Sequence, residues 1–190
     1  MFEHIINKCI VSDSLICLNL DLDNLDSVII GEVIFFDSDT LIIDEVNAYG
    51  IVIRRGRKIS LAKVKLISFG DIYGADLKYL HANIEFKKIR PKYLYLNKGS
   101  KSSLSGISES SKNKVVSVFI NDDYILGEII QIEAGLVQVN NVTYQGFEDG
   151  YTYVDISLIT KIRYDGLLER KATLLKKKKQ ELGINLNNKL

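Results

Sequence analysis

Arg54, Arg55, Arg57 and Lys58 place four cationic side chains in five residues around Gly56, with Tyr49 shortly before them. A guanidinium carries a planar fork of donors matched to phosphate oxygens, and an aromatic ring nearby offers a face on which a base can stack. The chemistry suited to such a stretch is non-covalent capture of RNA or another single-stranded nucleic acid. The plainer alternative is a solvated hairpin tip, or a partner for the acidic residues 21–45, because charge alone reads no sequence. Lys171 and Lys176 to Lys179 form a second basic group near the end of the chain. A lysine run of this kind is usually a solvated helix face, with contact to nucleic acid or an anionic membrane surface as the functional alternative.

Asp37 with Asp39, and Asp21 with Asp23, have the spacing of paired carboxylates. Both pairs fall in turn sequences, where aspartate bonds its own backbone, and neither continues into a calcium loop, so they read as turn residues and not as a metal site. His4 and His81 stand far apart and outside any metal or nucleophile motif, and no glycine-rich phosphate loop precedes a helix. Cys9 and Cys17 are the two cysteines. With no second pair to complete a zinc site they read as reduced, buried thiols. Tyr144, Tyr151 and Tyr153 read as core or strand packing, with a ligand groove as the alternative. These residues yield no catalytic set, metal site or cofactor, and the expectation is a binding protein that is not an enzyme.

The 190 residues are 46% hydrophobic and 26% charged, enough for one ordinary core or two small ones. No apolar run reaches the roughly 18 residues of a membrane span, and the first residues have neither a basic flank nor a secretory apolar core, so no membrane insertion and a cytoplasmic location are expected. The net charge of +1 hides a sorting along the chain: residues 1–50 sum to −9, 51–101 to +10, 102–165 to −5 and 166–190 to +5. Opposite blocks can pair within a fold or between copies, which makes a homo-oligomer the expected state and a protein partner the alternative to nucleic acid.

The elements that must position the basic stretch come twice. Gly31-Glu32-Val33-Ile34-Phe35-Phe36-Asp37 is followed about a hundred residues later by Gly127-Glu128-Ile129-Ile130-Gln131-Ile132-Glu133, each running through a turn into a second β-branched run. This is the pattern of a repeated, bent hairpin, with Gly31 marking a bulge or sharp bend. Strands are expected over 16–22, half-buried by its alternation, then 28–36 and 40–46, with a turn at Asn47 to Gly50. A strand, short turn and strand complete 51–67, and Arg54 to Lys58 fall in that short turn. Residues 1–13 predict a short helix, or an extra strand. Asp76 reads as the N-cap of a helix, Pro91 as a stop, and 97–114 as a flexible linker. The second copy runs over 115–163, with polar turns at Asn121 to Asp123 and at Asn140-Asn141, followed by an amphipathic helix ended by Gly183. The domain reading is therefore 1–96 for the first repeat with its flanking segments, 97–114 for the linker, 115–165 for the second repeat, and 166–190 for the basic helix and tail.

The run Gly31 to Asp37 resembles the first signature of Sm-like proteins, Gly-x-apolar-x-x-aromatic-Asp, and Ile53-Arg54-Arg55-Gly56 resembles their second, Ile-Arg-Gly. The resemblance implies a mainly β chain of two tandem five-stranded SH3-like or Sm-like barrels with short flanking helices. It further implies assembly into rings through strand edges and, in many members, RNA bound in the loops of the ring. Leu41 stands where uridine-binding members usually carry Asn, and Phe147-Glu148-Asp149-Gly150 replaces the arginine motif in the second copy. The alternative implied by those departures is a protein-interaction scaffold with no nucleic-acid ligand.

Overall fold

The computed structural model describes residues 2–24, 28–83, 89–96, 111 and 114–184. The chain is mainly β and divides into two compact units, Met1–Asn83 and Ile84–Leu190. The first contains α1 (Glu3–Val11), β1 (Ile16–Asn19), β2 (Val28–Phe36), β3 (Thr40–Val46), β4 (Val52–Ser60), a 3-10 turn at Leu61–Lys63, β5 (Leu66–Phe69) and α2 (Ile72–Asn83). Its antiparallel sheet has the order β4-β3-β2-β1-β5. The second contains β6 (Lys92–Tyr95), β7 (Val115–Ile120), β8 (Asp123–Glu133), β9 (Leu136–Val142), β10 (Glu148–Asp155), a 3-10 turn at Ile156–Leu158, β11 (Ile159–Tyr164) and α3 (Leu167–Glu181). Its order is β10-β9-β8-β7-β11-β6. Among the described residues the end strands of each order pair on one side only, so neither sheet closes on itself through its strand pairing.

Ile16, Leu18, Ile29, Leu41, Ile43 and Ile59 build the core of the first unit, and Ile6 and Cys9 of α1 enter it. The helix, not the extra strand, is therefore what residues 3–11 form: two apolar side chains three positions apart share one helix face. β1 ends at Asn19, short of the expected 22, and all four of its residues are buried. Alternation predicted one wet face, but Cys17, Ile30 and Val46 are also shielded from solvent. In the second unit Val116, Val118, Val137, Val139, Val154 and Ile162 form the core, and Val115, Leu126 and Val142 pack against Ala172 of α3 on a second face.

Several boundaries differ from those read in the sequence. Residues 84–96 fall in the second unit, because β6 pairs with β11 from Lys92↔Tyr164 to Tyr95↔Lys161. The first unit therefore ends at Asn83 and not at 96. The proposed linker 97–114 lies outside the described residues except for Ser111 and Lys114. α2 starts earlier than Asp76: Asp71 caps it, its Oδ1 accepting the Gly74 N–H at 2.5 Å, while Asp76 is buried inside the helix. Asn140 and Asn141 lie within β9, and the turn there is Thr143 to Phe147.

The tightest turns place the helices. Gly50 (φ +75°) closes the β3–β4 turn, and a Cβ on it would lie 2.6 Å from the Leu77 carbonyl oxygen and 2.7 Å from the His81 nitrogen. Gly146 (φ +81°) closes the β9–β10 turn against the backbone of Leu175 and Lys176. Both features demand glycine, one through conformation and one through space. Gly150 has φ +76° but open surroundings. Gly150→Ala should therefore cost about 1 kcal/mol from backbone conformation alone, and Gly146→Ala about 2–4 kcal/mol once the clash with α3 is added. Urea unfolding of the two variants measures the difference, and equal losses would contradict this account.

Candidate functional site

Arg54 to Lys58 do not form a turn. They lie inside β4, an edge strand, where a bulge sets Arg55 and Gly56 against Asp44: the ladder steps from Ile43↔Arg57 to Glu45↔Arg54. Gly56 takes φ +59° there, and its N–H donates to Asp44 Oδ1 at 2.8 Å. A residue with positive φ flanked by strand on both sides is how glycine lets a ladder absorb one extra residue. The bulge separates the four cations. Arg57 is half-buried and its Nη1 meets Glu45 Oε1 at 2.7 Å, which realises the acidic-partner alternative for that one residue. Arg54, Arg55 and Lys58 are exposed and, among the described residues, pair with no carboxylate. Tyr49 is half-buried in the preceding turn, where its N–H donates to Asn47 Oδ1.

Beside the start of β4 lies a cleft of about 540 Å³ lined by Glu45, Asn47, Ile53, Cys17, Asp71 and Tyr73, among others. Cys17 on its wall is a free thiol whose pKa is pushed up to about 11, chiefly by burial and next by the Asp71 charge. Cys9 is also free, raised by burial, with its Sγ directed at the Ser14 carbonyl oxygen 3.1 Å away. Both are thiols rather than thiolates at neutral pH and unsuited to nucleophilic work.

The aspartate pairs serve their turns. Asp37 Oδ1 accepts the N–H groups of Asp39 and Thr40, and Asp21 Oδ1 accepts that of Asp23. His81 Nδ1 lies 2.7 Å from the Gly50 carbonyl oxygen. No group of three metal-binding side chains occurs among the described residues, and no described helix is long and apolar enough to cross a membrane.

The lysine run on α3 is largely committed to the fold, which neither reading of it anticipated. Lys176 is buried and bonds Glu128 at 2.5 Å and Glu148 at 2.9 Å. Burial opposes its charge, but the two carboxylates outweigh burial and its pKa is raised. Lys179 is buried with its ammonium 5.1 Å from the centre of the Phe147 ring. Lys177 is the exposed member and faces Glu181 at 3.8 Å. Further along, the carboxylate of Glu169, 1% exposed, accepts from Ser117 Oγ and from Arg163 Nε at 2.7 Å. Its Oε2 has no hydrogen-bond partner among the described residues. The sequence offered one signal for these pairs, the Glu that follows Gly127, but nothing in one dimension matched it to a lysine 48 residues away.

Tyr144, Tyr151 and Tyr153 are not core residues: each is more than half exposed. Tyr153 borders a smaller cleft of about 330 Å³ with Gln131, Glu133, Leu136 and Gln138. No family model, no curated protein and no solved structure matches the chain.

Glu148 has a lowered pKa, first because of the Lys176 hydrogen bond. A lowered carboxyl contributes stability above its unfolded value and loses it as pH falls through the folded one, whereas the raised Lys176 loses its contribution only in strong base. Lys176→Met should therefore destabilise the second unit by about 1–3 kcal/mol at neutral pH, and by less in acid, once the pH has fallen through the lowered Glu148 value. Urea unfolding at neutral and at acid pH checks this, and a loss that does not shrink in acid contradicts it.

Proposed function

We propose that this chain is a non-enzymatic binding protein made of two copies of one small, bent β-barrel of the Sm-like or SH3-like type, and that the β4 edge of the first copy takes RNA or another single-stranded nucleic acid. The duplicated design draws support from the strand path, since β10-β9-β8-β7-β11 follows β4-β3-β2-β1-β5. The turns agree in detail: Asn47 N–H donates to Ile51 O and Gly50 N–H to Asn47 O, as Thr143 does to Phe147 and Gly146 to Thr143. A 3-10 turn then leads into the last strand of each copy.

One observation carries the nucleic-acid reading: among the described residues, Arg54, Arg55 and Lys58 are exposed on an unpaired strand edge with no carboxylate bound to them. The strand rise spreads them over about 13 Å along the edge, on both faces of it, where a phosphate backbone can run past. Anisotropy titrations of mixed short RNAs at two salt concentrations should give affinity that falls with salt, by a log–log slope of roughly −0.7 per phosphate neutralised. An Arg54→Ala/Arg55→Ala/Lys58→Ala variant should bind more weakly with a slope shallower by about 2. Arg57 stays intact because it holds Glu45. An unchanged slope removes β4 as the interface.

A specific charge pattern favours a second reading, association between copies of the chain. β4 carries four bases and no acid, while β10, the edge strand at the matching place in the other sheet, carries Glu148, Asp149 and Asp155 and no base. Open edges invite pairing unless something prevents it. Light scattering at low salt should then report a dimer or larger species that dissociates as salt is added, and a monomer at micromolar concentration and low salt rules this reading out.

A further inference from the structure

The two sheets differ at one place on the face toward the helix. In the second unit Ser117 of β7 pairs in register with Leu126 and Arg163, and in the first Cys17 of β1 pairs with Ile30 and Ser68. Arg163 thus corresponds to Ser68. The helices correspond as well: Gly166 and Asp71 precede their first residues, so Glu169 and Gly74 share the third helical position. In the second unit this crevice is filled by the side chains of Arg163 and Glu169, with the Arg163 guanidinium carbon 5.3 Å from the centre of the Phe119 ring. In the first unit the matching residues are small, and the cleft of about 540 Å³ opens among Cys17, Ser68 and Asp71.

The carboxylate is present in both. Glu169 reaches back over Gly166, whereas Asp71 reaches forward over Gly74, where its Oδ1 lies 3.1 Å from the position of a Cβ. One helix start supplies the acid from its third residue and the other from its cap. What the first unit lacks is the guanidinium: Asp71 is exposed where Glu169 is buried, no basic side chain pairs with it among the described residues, and its charge raises the Cys17 pKa, after burial, and the Tyr73 pKa, after burial and Cys17. Glu45, the other acid on the wall, is already held by Arg57.

We propose that the cleft of the first unit binds an alkylguanidinium, either a small molecule or an arginine side chain of a peptide, which supplies the cation that Arg163 supplies in the second unit. Asp71 receives the planar fork, Ser68 adds a hydroxyl acceptor, and the alkyl part lies against Ile30, Val46 and Ile53. The volume is within the usual range for small-ligand sites. This proposal does not rest on what the exposed cations of β4 bind.

Two-dimensional amide NMR of the full chain, titrated with n-butylguanidinium, n-butylammonium, butyrate and the peptide acetyl-Gly-Arg-Gly-amide, tests the assignment. n-Butylguanidinium should bind with a dissociation constant on the order of 1 mM, with shifts centred on Cys17, Asn47, Ser68 and Asp71. Tighter binding of the peptide identifies an arginine side chain as the source, and tighter binding of the free guanidinium a small molecule. Asp71→Asn keeps a capping acceptor for Gly74 but removes the charge, and should weaken binding at least about tenfold. Ser68→Arg/Asp71→Gly/Gly74→Glu installs the filling of the second unit and should abolish binding with the amide spectrum still dispersed. The proposal fails if no guanidinium binds, if the shifts map outside the cleft, if butyrate or n-butylammonium binds as tightly, or if Asp71→Asn binds as well as wild type.

Discussion

Close approach of backbone to backbone across the first hairpin of each sheet governs the rest of the architecture. A Cβ on Gly31 would stand 2.5 Å from the Asp44 carbonyl oxygen, and one on Gly127 would be closer still to that of Asn140. Only a residue without a side chain allows β2 to lie this tightly on β3, and β8 on β9. The ladder then takes up an extra residue a little further on, at Ile34 between Val33 and Phe35 and at Ile130 between Ile129 and Gln131. Tight contact followed by a bulge curves a strand strongly. The apolar side chains of β1 to β5 meet in one core with Ile6 and Cys9 of α1, and those of β6 to β11 meet in another.

Much of this was legible because it rests on local rules. The β-branched runs, the turn aspartates and the glycine that ends α3 all fall where pattern and turn chemistry place them. Gly31 was read as a bulge or bend, and the structure separates those two features by three residues. The basic stretch misled for a physical reason: glycine between charged residues reads as a turn, yet a glycine with positive φ serves equally well in a strand bulge. β1 misled because alternation reports one buried face and says nothing of a second covering layer. The assignment of β6 to the second sheet was beyond reach, since its pairing with β11 joins residues some seventy positions apart.

The charges show why a basic run in sequence is a poor guide to a basic surface. Four lysines in a row on α3 and four cations in five residues on β4 look alike in one dimension. Helical geometry turns Lys176 and Lys179 inward, to two glutamates and an aromatic ring, and leaves little free charge. Strand geometry with a bulge leaves three of the four β4 cations in water. Attraction for a polyanion belongs to charges that have not already found partners, so the two runs differ in capacity although each carries four positive charges.

The place of β6 changes what the serine-rich stretch after it connects. Residues 97–114 stand in sequence between β6 and β7, two strands of the same sheet, so they do not separate the halves of the chain. A single break there would yield two polypeptides, with the amino-terminal one still contributing Tyr93, Leu94 and Tyr95 to the ladder with β11. The pieces would be held by backbone hydrogen bonds and by Leu94 and Leu96 against the core. Such a nicked chain would run as two bands under denaturing conditions and as one particle under native ones, and the covalent tie between the units is instead the short passage from Asn83 to Lys92.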